Sequence, residues 1–310
     1  MGRRRKKGRP ISGWLVVDKT LGVGSTNAVS KAKWLLQAQK AGHAGTLDPL
    51  STGVLPIAFG EATKTTPYIM DATKRYRFSA QWGASTSTDD TEGEVIARSD
   101  KIPSAAEIEA ALPQFIGTIQ QVQPKFSAVK IDGERAYDVA RDGGEVKLKA
   151  RAIDIEDFYI VDTPSPSETV FEAVTGKGAY VRALVRDLAK AVGTEGHVTS
   201  LRRLSVGPFH EDDAVRLENL EEIDLIEDRD NALAPINAAL INLPQAAIDG
   251  QQAERLRRGQ AAIIAPDVAK GVRVDAVGEI DVVLASIHDQ AVAICSLDGL
   301  TLKPVRVFNL

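Results

Sequence analysis

The run AGHAGTLDPLSTGVLPIAFGEATK, residues 41–64, sets Asp48 inside a turn punctuated by Gly42, Gly45 and Gly53, with His43 shortly ahead of it. Glycines allow backbone angles that other residues resist, so such a loop can hold one acidic side chain rigidly at the floor of a cleft. Farther along, Tyr76, Tyr180 and Arg182 supply two aromatic faces and a guanidinium that could pair with Asp48. An arginine partner favours the ionised form of a carboxylate. One ionised aspartate without a second acid suits nucleophilic or base chemistry better than two-carboxylate glycoside hydrolysis, which also needs a protonated partner. The rings would stack on a flat substrate, and with basic surface around the pocket that substrate reads as a nucleobase turned out of its stack.

Taken singly, each of these residues has a structural reading. Asp48-Pro49 could cap a turn or helix, with proline at the first position where its missing N–H is harmless. His43 could be a satisfied loop histidine, Tyr76 a core aromatic and Arg182 a surface charge. Other motifs fail outright. GVGSTN ends in Asn27 where a dinucleotide fingerprint needs its third glycine, and GEATKT lacks the two-glycine phosphate loop, so neither supports a nucleotide cofactor. Ser30 to Lys33 and Ser127 to Lys130 match the Ser-x-x-Lys pattern of acylating enzymes without its companion elements. The histidines His43, His197, His210 and His288 show no metal spacing, and the single Cys295 can complete neither a zinc site nor a disulfide, so no metal is expected.

The elements that would position the candidates follow from periodicity. SGWLVVDKT reads as a strand, and STNAVSKAKWLLQ as a helix with Ala28, Ala32, Leu35 and Leu36 on one face behind a Ser25/Thr26 cap. KRYRFSAQWG alternates, with Tyr76, Phe78, Ala80 and Trp82 inward and Arg75, Arg77, Ser79 and Gln81 outward. PSAAEIEAALPQF and ERAYDVARDGG read as helices. TVFEAVTGKG leads into YVRALVRDLAKAVG, whose apolar stripe of Val181, Leu184, Val185, Leu188 and Val192 leaves Tyr180 and Arg182 in the first turn, beside a glycine turn and free to reach a cleft. Residues 218–230 are strongly acidic and read as a solvated helix far from any bound polyanion. Beyond Gln245, the helix QQAERLRRG precedes AIIA, VRVDAV, DVVLASI, AVAICSL and PVRVF, short runs that suggest a small β-barrel or sandwich.

Bulk properties restrict the partner. Over 310 residues, 44% hydrophobic, the net charge is -4, yet residues 1–75 hold thirteen Lys and Arg against four Asp and Glu. The arm MGRRRKKGRP alone could be a solubilising tail, but Lys31, Lys33, Lys40, Lys64, Lys74 and Arg75 lie outside it, a distribution that points to nucleic acid along one face. No apolar run approaches the ~18 residues of a membrane span, the N-terminus lacks a secretory signal and fits no myristoylation pattern, and one thiol suits a reducing compartment. A cytoplasmic protein is expected.

With these residues in place, the chain closely resembles the TruB family of tRNA pseudouridine synthases over nearly its whole length. GHAGTLDPLSTGVLPIAFGEATK is similar to the family's catalytic motif, KRYR to its second motif, PKFSAVKIDGERAYDVARDG to its central segment, and KGAYVRALVRDLA with HVTSLRRLSVGPF to its later ones. The resemblance implies an α+β pseudouridine synthase fold, a mixed, largely antiparallel sheet flanked by helices and loops. It divides the chain into a basic arm (1–10), a catalytic domain (11–244) and a small C-terminal PUA-like β-domain (245–310). It makes Asp48 the carboxylate that breaks the uridine N-glycosidic bond so that the base can rotate and rejoin through C5, a redox-neutral isomerisation that needs no cofactor. Tyr76 would stack on the target base, Tyr180 line the pocket, Arg182 pair with the aspartate, Leu201 form a wall, and His43 contact the rearranged RNA loop. Lys19, Lys64 and Lys130 are implied as RNA-facing or pocket-wall positions.

The implied substrate is uridine 55 (tRNA numbering) in the T arm of tRNA, bound by a protein with no membrane attachment and no obligate protein partner, acting as a monomer. Attack at the sugar C1′, addition at the base C6 and a glycal intermediate all fit one aspartate. Two positions depart from the bacterial pattern: Thr20 follows Lys19 where proline is usual, and Ala179 stands for a common threonine before Tyr180. An RNA-binding or RNA-folding module without the chemistry, and an aspartate-nucleophile hydrolase, are the competing readings. Intact Asp48, Tyr76 and Arg182 argue against the first, and the missing metal or second carboxylate against the other.

Overall fold

The computed structural model describes residues 7–124, 130–131, 134–135, 148–274 and 282–310. The chain opens with β1 (Gly13–Lys19), α1 (Ser25–Leu35), β2 (Ala41–His43), β3 (Ser51–Phe59), α2 (Thr66–Asp71) and β4 (Lys74–Trp82). Next come β5 (Ala84–Thr86), β6 (Val95–Arg98), α3 (Ala105–Ala111), β7 (Gly117–Gln121), and the two-residue strands β8 (Lys130–Ile131) and β9 (Glu134–Arg135). The helix expected over ERAYDVARDGG lies, apart from Glu134 and Arg135, outside the described residues. The long β10 (Arg151–Ser165) and β11 (Glu168–Thr175) lead to α4 (Val181–Ala191), β12 (Gly196–Val206) and β13 (Phe209–His210).

Among the described residues these strands form a nine-stranded sheet in the order β1-β3-β12-β4-β11-β10-β7, with β2 and β13 added on β3 and β12. All pairs are antiparallel except β3 with β12, which run parallel through Ser51–Leu201, Thr52–Arg202 and Gly53–Arg203. This seam matters because β3 starts three residues after Asp48, while β12 carries Leu201.

The alternation expected for β4 decides which face is wet. Phe78, Ala80 and Trp82 are buried together with the α4 stripe of Val181, Leu184, Val185, Leu188 and Val192, and Phe158 and Phe171 complete that core. Each fully buried side chain of this size contributes about 1.5–3 kcal/mol from removing apolar surface from water. Tyr180 is the extended N-cap of α4, so Arg182 falls in its first turn as the stripe requires. A second core packs Ala28, Ala32, Leu35 and Leu36 of α1 against Leu15, Val17, Leu55 and Ile57.

The final segment has α5 (Leu217–Glu221), α6 (Ile226–Arg229), β14 (Gln245–Ala247), α7 (Gly250–Arg257), β15 (Ala262–Ile263), α8 (Pro266–Val274), β16 (Val283–Ile287), β17 (Gln290–Asp298) and β18 (Thr301–Val307). Five of these strands make a second sheet in the order β14-β16-β17-β18-β15.

Several expectations are corrected here. The N-cap of α1 is Gly24, without a side-chain cap, and Ser25 bonds to the backbone of Leu47 instead. Residues 218–230 are two short helices and a 3-10 turn rather than one solvated helix, with Leu217 and Leu220 buried. Nor do they lie far from the basic front: Lys31 pairs with Glu218 at 3.4 Å and Glu221 at 2.9 Å, and Arg9 with Asp230 at 2.5 Å. In VRVDAV, the first three residues belong to helix α8, and the rest lie outside the described residues.

Candidate active site

Asp48 sits between β2 and β3, in a loop whose backbone is fastened from three sides. Ser25 Oγ donates to Leu47 O and accepts from Leu47 N–H, both at 2.8 Å. Pro49 O accepts from Gly22 N–H at 2.8 Å and from Lys19 Nζ at 3.4 Å. Arg203 donates from Nη2 to Gly45 O at 3.3 Å, from Nη1 to Thr46 O at 3.4 Å and from Nε to Val54 O at 2.7 Å. Gly45 adopts φ +107° and Gly53 φ +97°, and a Cβ on Gly53 would meet Arg203 O at 2.2 Å, so glycine is required there for the β3–β12 approach. Gly42 lies in β2 with open space where a Cβ would sit, so the turn does not depend on it.

Arg182 reaches Asp48 from the first turn of α4. Its Nη2 donates to Asp48 Oδ2 at 2.8 Å, while Nη1 reaches Asp90 Oδ2 at 3.2 Å and Thr88 O at 3.0 Å. The arginine side chain is 8% exposed and the aspartate 44%, so the guanidinium is the fixed, buried partner and the carboxylate opens into space. That space is a cavity of about 300 Å³ walled by Asp48, Tyr76, Tyr180, Arg182 and Leu201, with Lys74 and Arg203 among the other lining residues. Arg203 is 1% exposed and hydrogen-bonds to the Tyr76 side chain; burial pushes its pKa down, and the tyrosine opposes this. The arrangement presents one carboxylate oxygen pair and two phenol rings to anything in the cavity. The bases and acids of a metal site are absent: among the described residues no three His, Cys, Asp or Glu cluster in a way that could hold an ion.

Five of the expected residues thus converge: Asp48, Tyr76, Tyr180, Arg182 and Leu201. His43 does not line the cavity. It lies half-buried on β2, its Nδ1 without a hydrogen-bond partner among the described residues, and burial together with Arg203 lowers its pKa. Lys19 is corrected. It is 2% exposed, its Nζ donates to Val23 O, Thr20 O and Pro49 O, and burial pushes its pKa down to about 8, so it braces the catalytic loop and cannot face RNA. Lys64 is half-buried and does not line the cavity; it donates to Glu61 Oε2 at 2.6 Å and to Val307 O at 2.7 Å, tying the 3-10 turn after β3 to β18. Lys130 lies on β8, and its side chain falls outside the described residues.

Sequence reasoning missed Arg203, Asp90 and Lys74 as parts of the site. Period-2 alternation along HVTSLRRLSV puts one of Arg202 and Arg203 inward, a signal that names the pair without saying which. Asp90 sits in the turn between β5 and β6, where a chain of polar residues gives no period to read.

Comparison with known proteins bears on the chain as a whole. Residues 33–181 match the family model described as TruB family pseudouridylate synthase (N terminal domain), and residues 182–241 match tRNA pseudouridylate synthase B C-terminal domain. The tRNA pseudouridine synthase B of Caulobacter vibrioides is 48% identical over 307 residues, covering 99% of this chain and 99% of that protein. That of Ruegeria sp. (strain TM1040) is 49% identical over 310 residues, covering 100% and 99%. Among solved structures, one described as a Cbf5-Nop10-Gar1 complex superposes with a TM-score of 0.71 at 23% identity, over 96% of this chain and 85% of that one, a likeness that concerns the fold.

Proposed function

The chain belongs to the TruB family of pseudouridylate synthases, and from that premise we propose that it isomerises uridine 55 in the T arm of tRNA to pseudouridine, with Asp48 as the catalytic group. The observation that carries this reading is the 2.8 Å pair between a buried Arg182 and an open Asp48 in a cavity flanked by Tyr76 and Tyr180. At about 300 Å³ the cavity lies at the small end of ligand sites and suits one nucleoside, which a duplex cannot deliver without extruding it. Unstacking a base costs a few kcal/mol, and stacking against an aromatic ring returns about 1–3 kcal/mol, so Tyr76 and Tyr180 can offset most of it.

The chemistry needs no redox partner. The N1–C1′ bond breaks, the base turns, a C5–C1′ bond forms, and the C5 proton leaves as N1 gains one. Asp48 acts at the sugar or the base, Arg182 aims its carboxylate, Leu201 closes the wall, and His43 meets the RNA loop vacated by the base. Residues 11–244 carry the chemistry, 245–310 form a PUA-like domain that grips the RNA outside the pocket, and the basic arm 1–10 adds phosphate contacts. The protein works as a monomer in the cytoplasm; no helix among the described residues is long and apolar enough to cross a membrane.

The test is tritium release from tRNA labelled at uridine C5. The wild type releases label and forms pseudouridine at position 55. Asp48→Asn leaves tRNA affinity within about threefold but lowers single-turnover release by at least about a thousandfold, as expected when the reacting group itself is removed. Product formation by the asparagine variant at an appreciable rate would remove Asp48 from the mechanism.

A further inference from the structure

Two lysines near the catalytic loop are buried, and they differ in one donor. An ammonium carries three N–H groups. Lys19 Nζ donates to three carbonyls, those of Thr20, Val23 and Pro49, which accounts for all three. Lys74 Nζ donates to two, Met70 O at 2.6 Å and Ala72 O, at the end of α2. Lys19 is not among the residues lining the reaction cavity, whereas Lys74 is one of them and is 7% exposed.

Carbonyl dipoles solvate an ammonium without neutralising it. Among the described residues no carboxylate lies within ion-pair distance of Lys74. Asp71, whose charge favours the Lys74 ammonium, lies beyond that distance and pairs with the exposed Lys177 at 2.5 Å. The other cations on the cavity wall have partners: Arg182 has Asp48 and Asp90, Arg203 has three backbone carbonyls and Tyr76, and the exposed Lys177 has Asp71. Burying a charge without a counter-charge is expensive, and a methionine would fill the same volume without that cost. Burial indeed pulls the Lys74 pKa down to about 8. A buried cation that the fold leaves without an ion pair on the wall of a substrate cavity gains one when the substrate brings an anion.

The neighbouring backbone suits an anion. Lys74 is paired with Thr175 across the β4–β11 ladder, and the turn at residues 176–178 starts at the next position and lines the same cavity. Gly178 has φ +84° and nothing within 4 Å of where a Cβ would sit, so a sugar-phosphate chain can pass close to the main chain there. We propose that Lys74 is the subsite for a phosphodiester group flanking the extruded uridine, with the glycine turn at 176–178 as its adjoining wall. This rests on the reading of the cavity as a uridine pocket and assigns its anionic end. Lys74 is then a positioning residue: it fixes the ribose-phosphate so that C1′ and the base meet Asp48 and Tyr76 in register.

The experiment uses the full-length protein and a T-arm stem–loop RNA in three forms, natural and with a neutral methylphosphonate at the linkage 5′ or 3′ of the target uridine. Equilibrium dissociation constants are measured for the wild type, Lys74→Met and Lys74→Arg. A charge-assisted hydrogen bond to phosphate predicts that one of the two neutral linkages weakens wild-type binding about tenfold. Lys74→Met binds the natural RNA about tenfold more weakly and is then insensitive to that same linkage, within about twofold, while Lys74→Arg keeps the sensitivity. The proposal is overturned if neither linkage affects the wild type, a result that needs no variant to fold, or if the losses multiply in Lys74→Met, as they would were Lys74 bound to a uracil oxygen or a ribose hydroxyl. Conversion of the natural stem–loop to pseudouridine by the wild type is scored separately. Conversion without coupling removes the Lys74 subsite alone, and no conversion removes the uridine reading on which it rests.

Discussion

Lys19 occupies a position where an RNA-facing or pocket-wall cation was expected, and its burial makes a different property measurable. The native ammonium loses its proton near pH 8, whereas in the unfolded chain it does so near 10.5. Below about pH 8 both states are charged and the burial penalty is fully present; between about 8 and 10.5 the unfolded state binds more protons, so stability rises with pH. The wild type should therefore gain roughly 1–2 kcal/mol over Lys19→Met between about pH 7 and about pH 9.5, read from urea unfolding of both proteins at each pH. A constant difference across that range would mean that the ammonium is not desolvated in the native state. The same contrast explains which site residues could be read in advance. Asp48, Tyr76, Tyr180 and Arg182 were legible because residue type, glycine context and strand or helix period all constrained where they point. For a lysine at a strand end, such as Lys19, periodicity places the Cα, but the four-carbon stem decides whether the ammonium meets water or carbonyls. Arg203 was missed for a related reason: it holds backbone rather than substrate, and backbone partners leave no trace in composition.

Helix α1 and strand β12 act on the reaction through the main chain of the catalytic loop. Ser25, at the first helical position of α1, clamps Leu47, the residue before Asp48, with two hydrogen bonds of 2.8 Å each. Ser25→Ala removes both. Each buried bond is worth about 1 kcal/mol net, more where a partner is left unsatisfied, so a stability loss of about 1–3 kcal/mol is expected. The kinetic effect should be larger than for a loop remote from the chemistry. With Leu47 released, the Asp48 carboxylate loses its defined distance to the sugar, and a misplacement of order 1 Å can cost on the order of a hundredfold. Single-turnover pseudouridine formation at saturating tRNA should fall by about ten- to a hundredfold, and a rate equal to the wild type would show that Arg203 and Lys19 hold the loop unaided. At this scale the strands β1 and β4 and the helices α1, α3 and α4 followed from period and punctuation. The Ser25/Thr26 cap did not, because a serine at a helix start offers the same oxygen to its own helix or to a neighbouring loop. Residues 272–274 misled for another reason. Val-Arg-Val alternates like a strand, yet Ala269 and Val272, three apart, both bury against the second sheet, and that packing selects the helix α8.

Across the whole molecule, the acidic net charge and the basic front are arranged less simply than a count suggests, since Arg9 and Lys31 are already paired with Asp230, Glu218 and Glu221. The two sheets are likewise less separate than a boundary near residue 245 implies. Phe308, Leu284 and Ile294 from the C-terminal segment share one buried cluster with Trp14, Val54 and Phe209 of the nine-stranded sheet. Polar ties run alongside it: Lys64 Nζ reaches Val307 O at 2.7 Å, and Asn309 N–H donates to Glu61 Oε2 at 2.8 Å. A domain that gripped RNA from a flexible hinge would have a small, polar contact here; a shared apolar core instead couples its folding to that of the catalytic sheet. Phe308→Ala deletes a fully buried ring from that cluster, and such truncations cost about 3–5 kcal/mol. If the cluster is one cooperative unit, the variant unfolds in a single transition at lower urea, with the near-ultraviolet signal of Trp14, packed 5.4 Å from Phe209, moving together with the far-ultraviolet signal of the whole chain. A second transition left at the wild-type midpoint would mean that the catalytic sheet is indifferent to the C-terminal segment, and RNA gripped there could not be held in fixed relation to the Asp48 cavity.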